Sequence, residues 1–295
     1  EMVSKNPPVA VLPLGTGNDL AQTLGWVNFA SLVPPPPSND NNNNRQFNNK
    51  RDQSVLSNLL YAVETAEEIQ LDRWLVSVDD GALLPREQSS AVMTNYLSFG
   101  VDAQVALKFH LLRESHSELF VSQTLNKFFY AHFGFTTMFD GIEDIGSKVD
   151  VICDDVKLQL PEEISGIIVL NIPSYAGGAD LWGEDDENDN NNDNNNFVQK
   201  RKIFKTPSVS DGMLEVVAVT SSMHMGIISV NLSHAIRVTQ CSKLELIFNQ
   251  DSIPFQIDGE PTLRDKSRLT IRRASSVPML LCREELTDFD EPIAI

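Results

Sequence analysis

Cysteine is scarce in this chain, and cations are outnumbered. Cys153, Cys241 and Cys282 are the three cysteines in 295 residues. They stand far apart, odd in number and without a C-x-x-C pair, which excludes a disulfide scaffold and points to a reducing compartment. The five histidines make no H-E-x-x-H or comparable spacing, so no zinc site is legible. No apolar run approaches the roughly 20 residues of a membrane-spanning helix, and no signal peptide is visible. Lysine and arginine number 23 against 41 acidic residues, for a net charge of −18. That balance argues against general attraction to nucleic acid or to an anionic membrane surface. Part of the acidity is local, since Glu184, Asp185, Asp186, Glu187, Asp189 and Asp193 lie in one low-complexity run that reads as a solvated insert.

What is present is enough for real cores: 41% hydrophobic residues over a length that accommodates two domains. The most informative stretch is Pro13 to Trp26, PLGTGNDLAQTLGW. Val9 to Leu12 before it is a short apolar run suited to a buried parallel strand, and Pro13 ends it. Gly15 and Gly17 can take backbone conformations closed to other residues, bringing peptide N–H groups close to an anion. Asn18 stands at the N-cap position, and Leu20, Ala21 and Leu24 give the apolar spacing of a short helix. A phosphate there would meet unpaired N–H groups and the positive helix end. The chain begins at Glu1 and reaches this strand within ten residues, as expected of the C-terminal piece of something longer.

Two segments read as loop insertions: a proline and asparagine stretch at 34–50 and the acidic, asparagine-rich run at 184–196. Between them, Ser54 can cap a helix with apolar positions Leu56, Leu59, Leu60 and Val63. Leu71 to Val78 and Met93 to Phe99 read as strands, and Gly100-Val101-Asp102 turns the second into a helix through Leu107, Leu111 and Leu112. Phe128, Phe129, Tyr130, Phe133, Phe135 and Phe139 suggest a further helix, either core or lipid pocket. After Lys148 the period becomes two: Val149, Val151 and Cys153 alternate, Asp154-Asp155 can turn the chain, and Val156, Leu158 and Leu160 alternate again. Gly166 to Asn171, Met213 to Val219, Lys243 to Phe248, Ile253 to Ile257 and Leu269 to Ile271 supply more strands. Arg264, Lys266, Arg268, Arg272 and Arg273 concentrate positive charge, either on a membrane- or phosphate-facing strand edge or on a solvated face between inward Leu269 and Ile271.

Gln256-Ile257-Asp258-Gly259-Glu260-Pro261 ends a strand with two carboxylates two residues apart. They point to one face if the strand continues, and each then raises the pKa of the other toward useful base strength. Taken alone, D-G-E is also a common turn.

PLGTGNDLAQTLGW, Asp72-Arg73-Trp74, NYLSFGVDAQVALKFHLLRE (95–114) and PSYAGGADLWG (173–183) together resemble the eukaryotic diacylglycerol kinases. The resemblance implies an α/β plus β-rich, two-domain lipid-kinase fold. Residues 1–72 would be the end of the catalytic nucleotide domain and 73–285 a mostly antiparallel β accessory domain with helices. It implies transfer of the γ-phosphoryl group of ATP to diacylglycerol, with Mg²⁺, by a cytoplasmic protein that meets the membrane peripherally and does not bind nucleic acid. Carried onto this sequence, Gly15, Thr16, Gly17 and Asn18 become the phosphate cradle. Asp19 and Asp72 become the acids that arrange Mg²⁺, Asp72 having an ion pair with a neighbour as its alternative. Asp258 becomes the general base, with Glu260 in support. The family's upstream G-G-D-G-T motif does not occur in this sequence; the upstream catalytic segment is therefore an expected partner. A non-catalytic module of the same fold and a sphingolipid kinase are the alternatives.

Overall fold

Wherever apolar side chains recur at every second position, the chain forms a strand with one face turned to a shared core. The computed structural model describes residues 6–15, 17–27, 49–78, 90–115, 144–160, 164–183, 204–221 and 234–282. In chain order the elements are α1 (Asp19–Thr23), α2 (Asn49–Thr65), β1 (Glu67–Val78), β2 (Ser90–Met93), β3 (Tyr96–Gly100), α3 (Val101–Ser115), a 3-10 turn at Ile145–Ser147, β4 (Val149–Cys153), β5 (Val156–Lys157), β6 (Gly166–Leu170), β7 (Ser174–Tyr175), β8 (Ala179–Asp180), β9 (Leu214–Val219), β10 (Ile236–Cys241), β11 (Lys243–Phe248), β12 (Ile253–Ile257), β13 (Glu260–Arg264) and β14 (Ser267–Leu281).

Two six-stranded sheets result, ordered β2-β1-β14-β11-β4-β5 and β10-β9-β6-β3-β12-β13, with β7-β8 as a separate small ribbon. Neighbouring strands within them run antiparallel. The inner faces meet in one core, Trp74, Val76, Leu244, Leu246, Leu269 and Ile271 from the first sheet against Leu97, Phe99, Val169, Val216 and Phe255 from the second. Phe248 joins them, its ring edge-on to Phe99 and Phe255. Strands β6 and β9 are buried along their whole length because the outer face is covered as well, by Tyr175, Leu181 and Trp182. Their sequences, GIIVL and LEVVAV, are apolar apart from Glu215, as two covered faces require. The fold class is thus mostly antiparallel β with few helices, alongside the glycine loop and short helix α1 at the N-terminus.

Several elements differ from the sequence expectation. Val9 makes only an isolated parallel bridge to Met279, and Val9 and Leu12 are 52% and 46% exposed. The expected buried strand has a partner on one side only among the described residues, so Val9 and Leu12 stay in solvent. Helix α2 starts at Asn49, five residues before Ser54, and its inward residues are Leu59 and Ala62. Leu60 and Val63 face out, and the side chain of Leu56 lies outside the described residues. The strand expected over 93–99 breaks at Thr94-Asn95 into β2 and β3, which go to different sheets. Residue 72, the expected domain crossover, lies in the middle of β1, which pairs with β14 on both sides of it. The aromatic run 128–139, Thr16 and both inserts fall wholly or largely outside the described residues.

In the basic stretch Lys266, Arg268, Arg272 and Arg273 are exposed. Arg268 bonds Glu245, which Lys243 also meets, while Leu269 and Ile271 point inward. Arg273 is spent on Asp72, and Arg264 is buried with its guanidinium over Phe255. All three cysteines are buried free thiols. The neighbouring Cys153, together with burial, pushes the Cys241 thiol up, away from its reactive form.

One buried acid gives the fold a measurable pH dependence. Glu215 on β9 is 3% exposed and accepts a 3.0 Å hydrogen bond from Gln240. Burial, reinforced by the charge of Asp211, pushes its carboxyl up to about 7 from 4.5. Between those values the folded state holds a proton that the unfolded state has released, so this group's contribution to stability declines as pH rises through the window. Glu215→Gln removes the decline. Its urea midpoint is expected to match the wild type near pH 5 and to exceed it near pH 8 by the equivalent of roughly 2–3 kcal/mol; parallel curves would show that Glu215 does not titrate there.

Candidate active site

The glycine loop is built differently from its sequence expectation. The left-handed residue of the glycine loop is Asn18, at φ 57°, a conformation that Gly15 does not share. A Cβ on Gly15 would lie 3.1 Å from Asn18 Oδ1, and one on Gly17 would lie 3.1 Å from Asp19 Oδ2. Here glycine provides room for two polar side chains. Asn18 occupies the cap position of α1 without capping it through its side chain. Instead, Gly15 N–H donates to its Oδ1 at 2.7 Å, and its Nδ2 donates to Gly15 O at 2.8 Å, so the loop closes on itself.

Asp19 opens α1 and is buried. Tyr96 Oη donates to its Oδ2 at 3.0 Å, while Ser174 Oγ and Gly177 N–H both donate to Oδ1 at 2.9 Å. The turn between β7 and β8 therefore clasps the start of α1. Gly178, at φ 116°, permits this approach, since a Cβ there would come within 2.4 Å of Gln22 Oε1.

Asp258 and Gly259 are the two turn residues between β12 and β13, at φ 49° and 83°, with Ile257 opposite Glu260. An Asp-Gly pair with both φ positive is the favoured two-residue hairpin turn. The strand therefore does not continue through D-G-E; it reverses, and Glu260 begins the return strand as an exposed residue. Asp258 reaches across to the break between β2 and β3, where Thr94 N–H donates to Oδ2 at 2.8 Å and Asn95 and Tyr96 N–H donate to Oδ1 at 2.7 and 3.1 Å. Burial pushes this carboxyl above the ordinary range, against the lowering effect of those three N–H groups and of the Arg73 charge. A neighbouring carboxylate is not among the causes. Tyr96 thus holds both acids, Asp19 through its hydroxyl and Asp258 through its backbone.

Asp72 takes the ion-pair arrangement. Arg273 Nε and Ser276 Oγ each donate to Oδ1 at 2.8 Å, and Gly212 N–H donates to Oδ2 at 2.8 Å. Among the described residues no three His, Cys, Asp or Glu side chains cluster as a metal cage. Asn171, which the sequence reading did not single out as a site residue, ties this region to the β2–β3 break. It donates to Asp72 O at 2.8 Å and Thr94 O at 2.6 Å and accepts from Trp74 Nε1 at 2.7 Å. A buried amide closing the apolar run GIIVL was its only sequence signal. Tyr96, Ser174 and Tyr175 carried none beyond their place in the quoted blocks.

The family model for the diacylglycerol kinase accessory domain matches residues 92–261, and that for the diacylglycerol kinase catalytic domain matches residues 1–33. This chain belongs to the diacylglycerol kinase family. It is 37% identical over 277 residues to diacylglycerol kinase 1 of Arabidopsis thaliana, covering 93% of this chain and 34% of that protein. With diacylglycerol kinase 2 of the same plant the identity is 36% over 277 residues, covering 93% and 35%. With diacylglycerol kinase theta of Mus musculus it is 31% over 274 residues, covering 90% and 25%. The chain spans about a third or less of the length of these curated relatives. A solved diacylglycerol kinase structure from Bacillus anthracis str. Sterne matches with a TM-score of 0.42 at 11% identity, covering 95% of this chain and 68% of that one.

In this diacylglycerol kinase family member, Asn171 is the joint between the first sheet and the candidate site. Asn171→Leu leaves the Trp74 indole N–H and two carbonyls without their partner. It is expected to lower stability by about 3 kcal/mol, read as a fall in urea midpoint; an unchanged midpoint would mean that water replaces all three bonds.

Proposed function

We propose that the protein transfers the γ-phosphoryl group of ATP to the free hydroxyl of diacylglycerol, giving phosphatidic acid, and that it meets its lipid as a peripheral membrane protein. The observation that carries this reading is the double use of Tyr96, which joins Asp19 beside the glycine loop to Asp258 in the D-G-E turn. Kinship with curated diacylglycerol kinases supports it. In this reading residues 1–33 belong to the nucleotide domain and residues 92–261 to the accessory domain, the spans that the two family models match.

Gly15, Thr16, Gly17 and Asn18 would hold the phosphates of ATP. Asp19 would hold a hydrated Mg²⁺ from its buried position, as suits an ion that keeps waters and takes only one or two carboxylates. Asp72, already saturated by Arg273, Ser276 and Gly212, would act from behind, fixing β1 against β14. ATP supplies the phosphoryl group, and Mg²⁺ neutralises its charge. Asp258 accepts the hydroxyl proton. Its Oδ2, with one N–H partner against two on Oδ1, has the greater acceptor capacity left for it. Glu260, exposed on the return strand, has at most a supporting role.

Asp258→Asn places an amide N–H₂ against backbone donors, so a loss of about 1–2 kcal/mol in stability is expected. Turnover should fall much further, by roughly 10² to 10⁴-fold, with little change in ATP affinity. Asp19→Asn is expected to weaken Mg²⁺ dependence and apparent ATP affinity as well. In the wild type, activity should drop as pH falls through a pKa above the usual aspartate range, because the base must be unprotonated. In the full-length protein, with the upstream segment present, labelled ATP followed by lipid extraction reads the activity: labelled phosphatidic acid supports the assignment, a labelled sphingolipid reassigns the substrate, and no labelled lipid identifies a non-catalytic module.

A further inference from the structure

A further buried acid, Asp102, lies in the first turn of α3 and is 3% exposed. Its hydrogen-bond partners are two neutral side chains: Ser98 Oγ donates to Oδ2 and Tyr175 Oη donates to Oδ1. Burial pushes the carboxyl up against these bonds. A carboxylate in such a place stabilises a fold less than an apolar side chain of its size would. What it does is orient its neighbours.

Two chains of contacts leave it. Along the first, the Ser98 hydroxyl is committed as donor to Asp102, which leaves its oxygen to accept from Gln256 Nε2 at 3.0 Å. That fixes the Gln256 amide the other way round, and its Oε1 accepts the Gly259 N–H at 2.8 Å, inside the turn that carries Asp258. Along the second, the Tyr175 ring, held at its hydroxyl, packs against Tyr96 with centroids 4.8 Å apart. Tyr96 in turn donates to Asp19 and to Asp258. Both routes end on the proposed base, and one also ends on Asp19. Hydrogen bonds along the first route are directional: with Asp102 accepting at one end and the Gly259 N–H donating at the other, Ser98 and Gln256 have one arrangement that satisfies both.

We propose that Asp102 is a positioning residue for phosphoryl transfer, setting the relative placement of Asp258 and Asp19 through Ser98–Gln256–Gly259 on one side and Tyr175–Tyr96 on the other. The inference rests on the assignment of Asp258 and Asp19 to the reaction centre.

Asp102→Asn in the full-length protein tests it, since the amide offers Ser98 or Tyr175 a donor where each now finds an acceptor. Amide hydrogen exchange at Gly259 and at Thr94 to Tyr96 is expected to speed up by about tenfold or more relative to β9, whose protection follows global opening. In kinetics kcat should fall about 10²-fold with ATP KM nearly unchanged, as for a displaced reacting group. On an Asp258→Asn background the same change should cost almost nothing more, because residues acting as one unit are non-additive. Should Asp102→Asn fail to fold, Ser98→Ala and Tyr175→Phe each cut one route, and the first should loosen Gly259 more than Tyr96 and the second the reverse. Uniform exchange across all these amides, or full additivity with Asp258→Asn, overturns the proposal. If Asp258→Asn alone leaves turnover intact, the assignment of the base fails, while the exchange data still decide whether Asp102 positions the turn.

Discussion

Three aspartates leave water when this chain folds and a fourth, Asp258, is half-buried; each is met by donors from a distant segment. Asp19 is met by Tyr96, Ser174 and Gly177, and Asp72 by Arg273, Ser276 and Gly212. Asp102 is met by Ser98 and Tyr175, and Asp258 by three successive backbone N–H groups at the β2–β3 break. A buried carboxylate short of donors costs several kcal/mol. The placement of these four therefore constrains where α1, the β7–β8 turn, the D-G-E hairpin and the end of β14 can sit.

The sandwich makes that constraint bearable. Two sheets with an interdigitated core hold β3, β6 and β12 side by side in fixed register, so Tyr96 and Asp258 arrive at neighbouring strand ends. The break at Thr94-Asn95 is where β2 leaves for the other sheet. It frees backbone N–H groups from strand pairing, and Asp258 receives them. The discontinuity that ends one strand thus creates the anchor for the proposed base.

Legibility in the sequence followed the range of the interactions. Period-two alternation marked β4, because a single covered face imposes that pattern locally. The Asp-Gly pair at 258–259 was readable as a turn, since its φ values are a local matter. Helix α2 was misjudged at both its start and its inward face. The identity of the inward residues depends on which neighbours, here α1 and the ends of β1 and β14, the helix leans against. The basic stretch after Arg264 was ambiguous for the same reason: an arginine's role is set by the acid it finds, and Glu245 and Asp72 lie far off in sequence.

The sequence by itself determined the β-rich character of the chain, the glycine loop before a short helix, the D-G-E segment and, through four blocks, the family. All of these are written in contiguous residues, where propensity and spacing operate. Only the tertiary structure decided that Asn18 closes the loop on Gly15, that Asp72 is bound to Arg273, and that Tyr96 joins Asp19 to Asp258. It also decided that Asp102 underlies both. A buried polar group takes whatever donor the packed sheets bring within about 3 Å, and no pattern along the chain encodes that meeting.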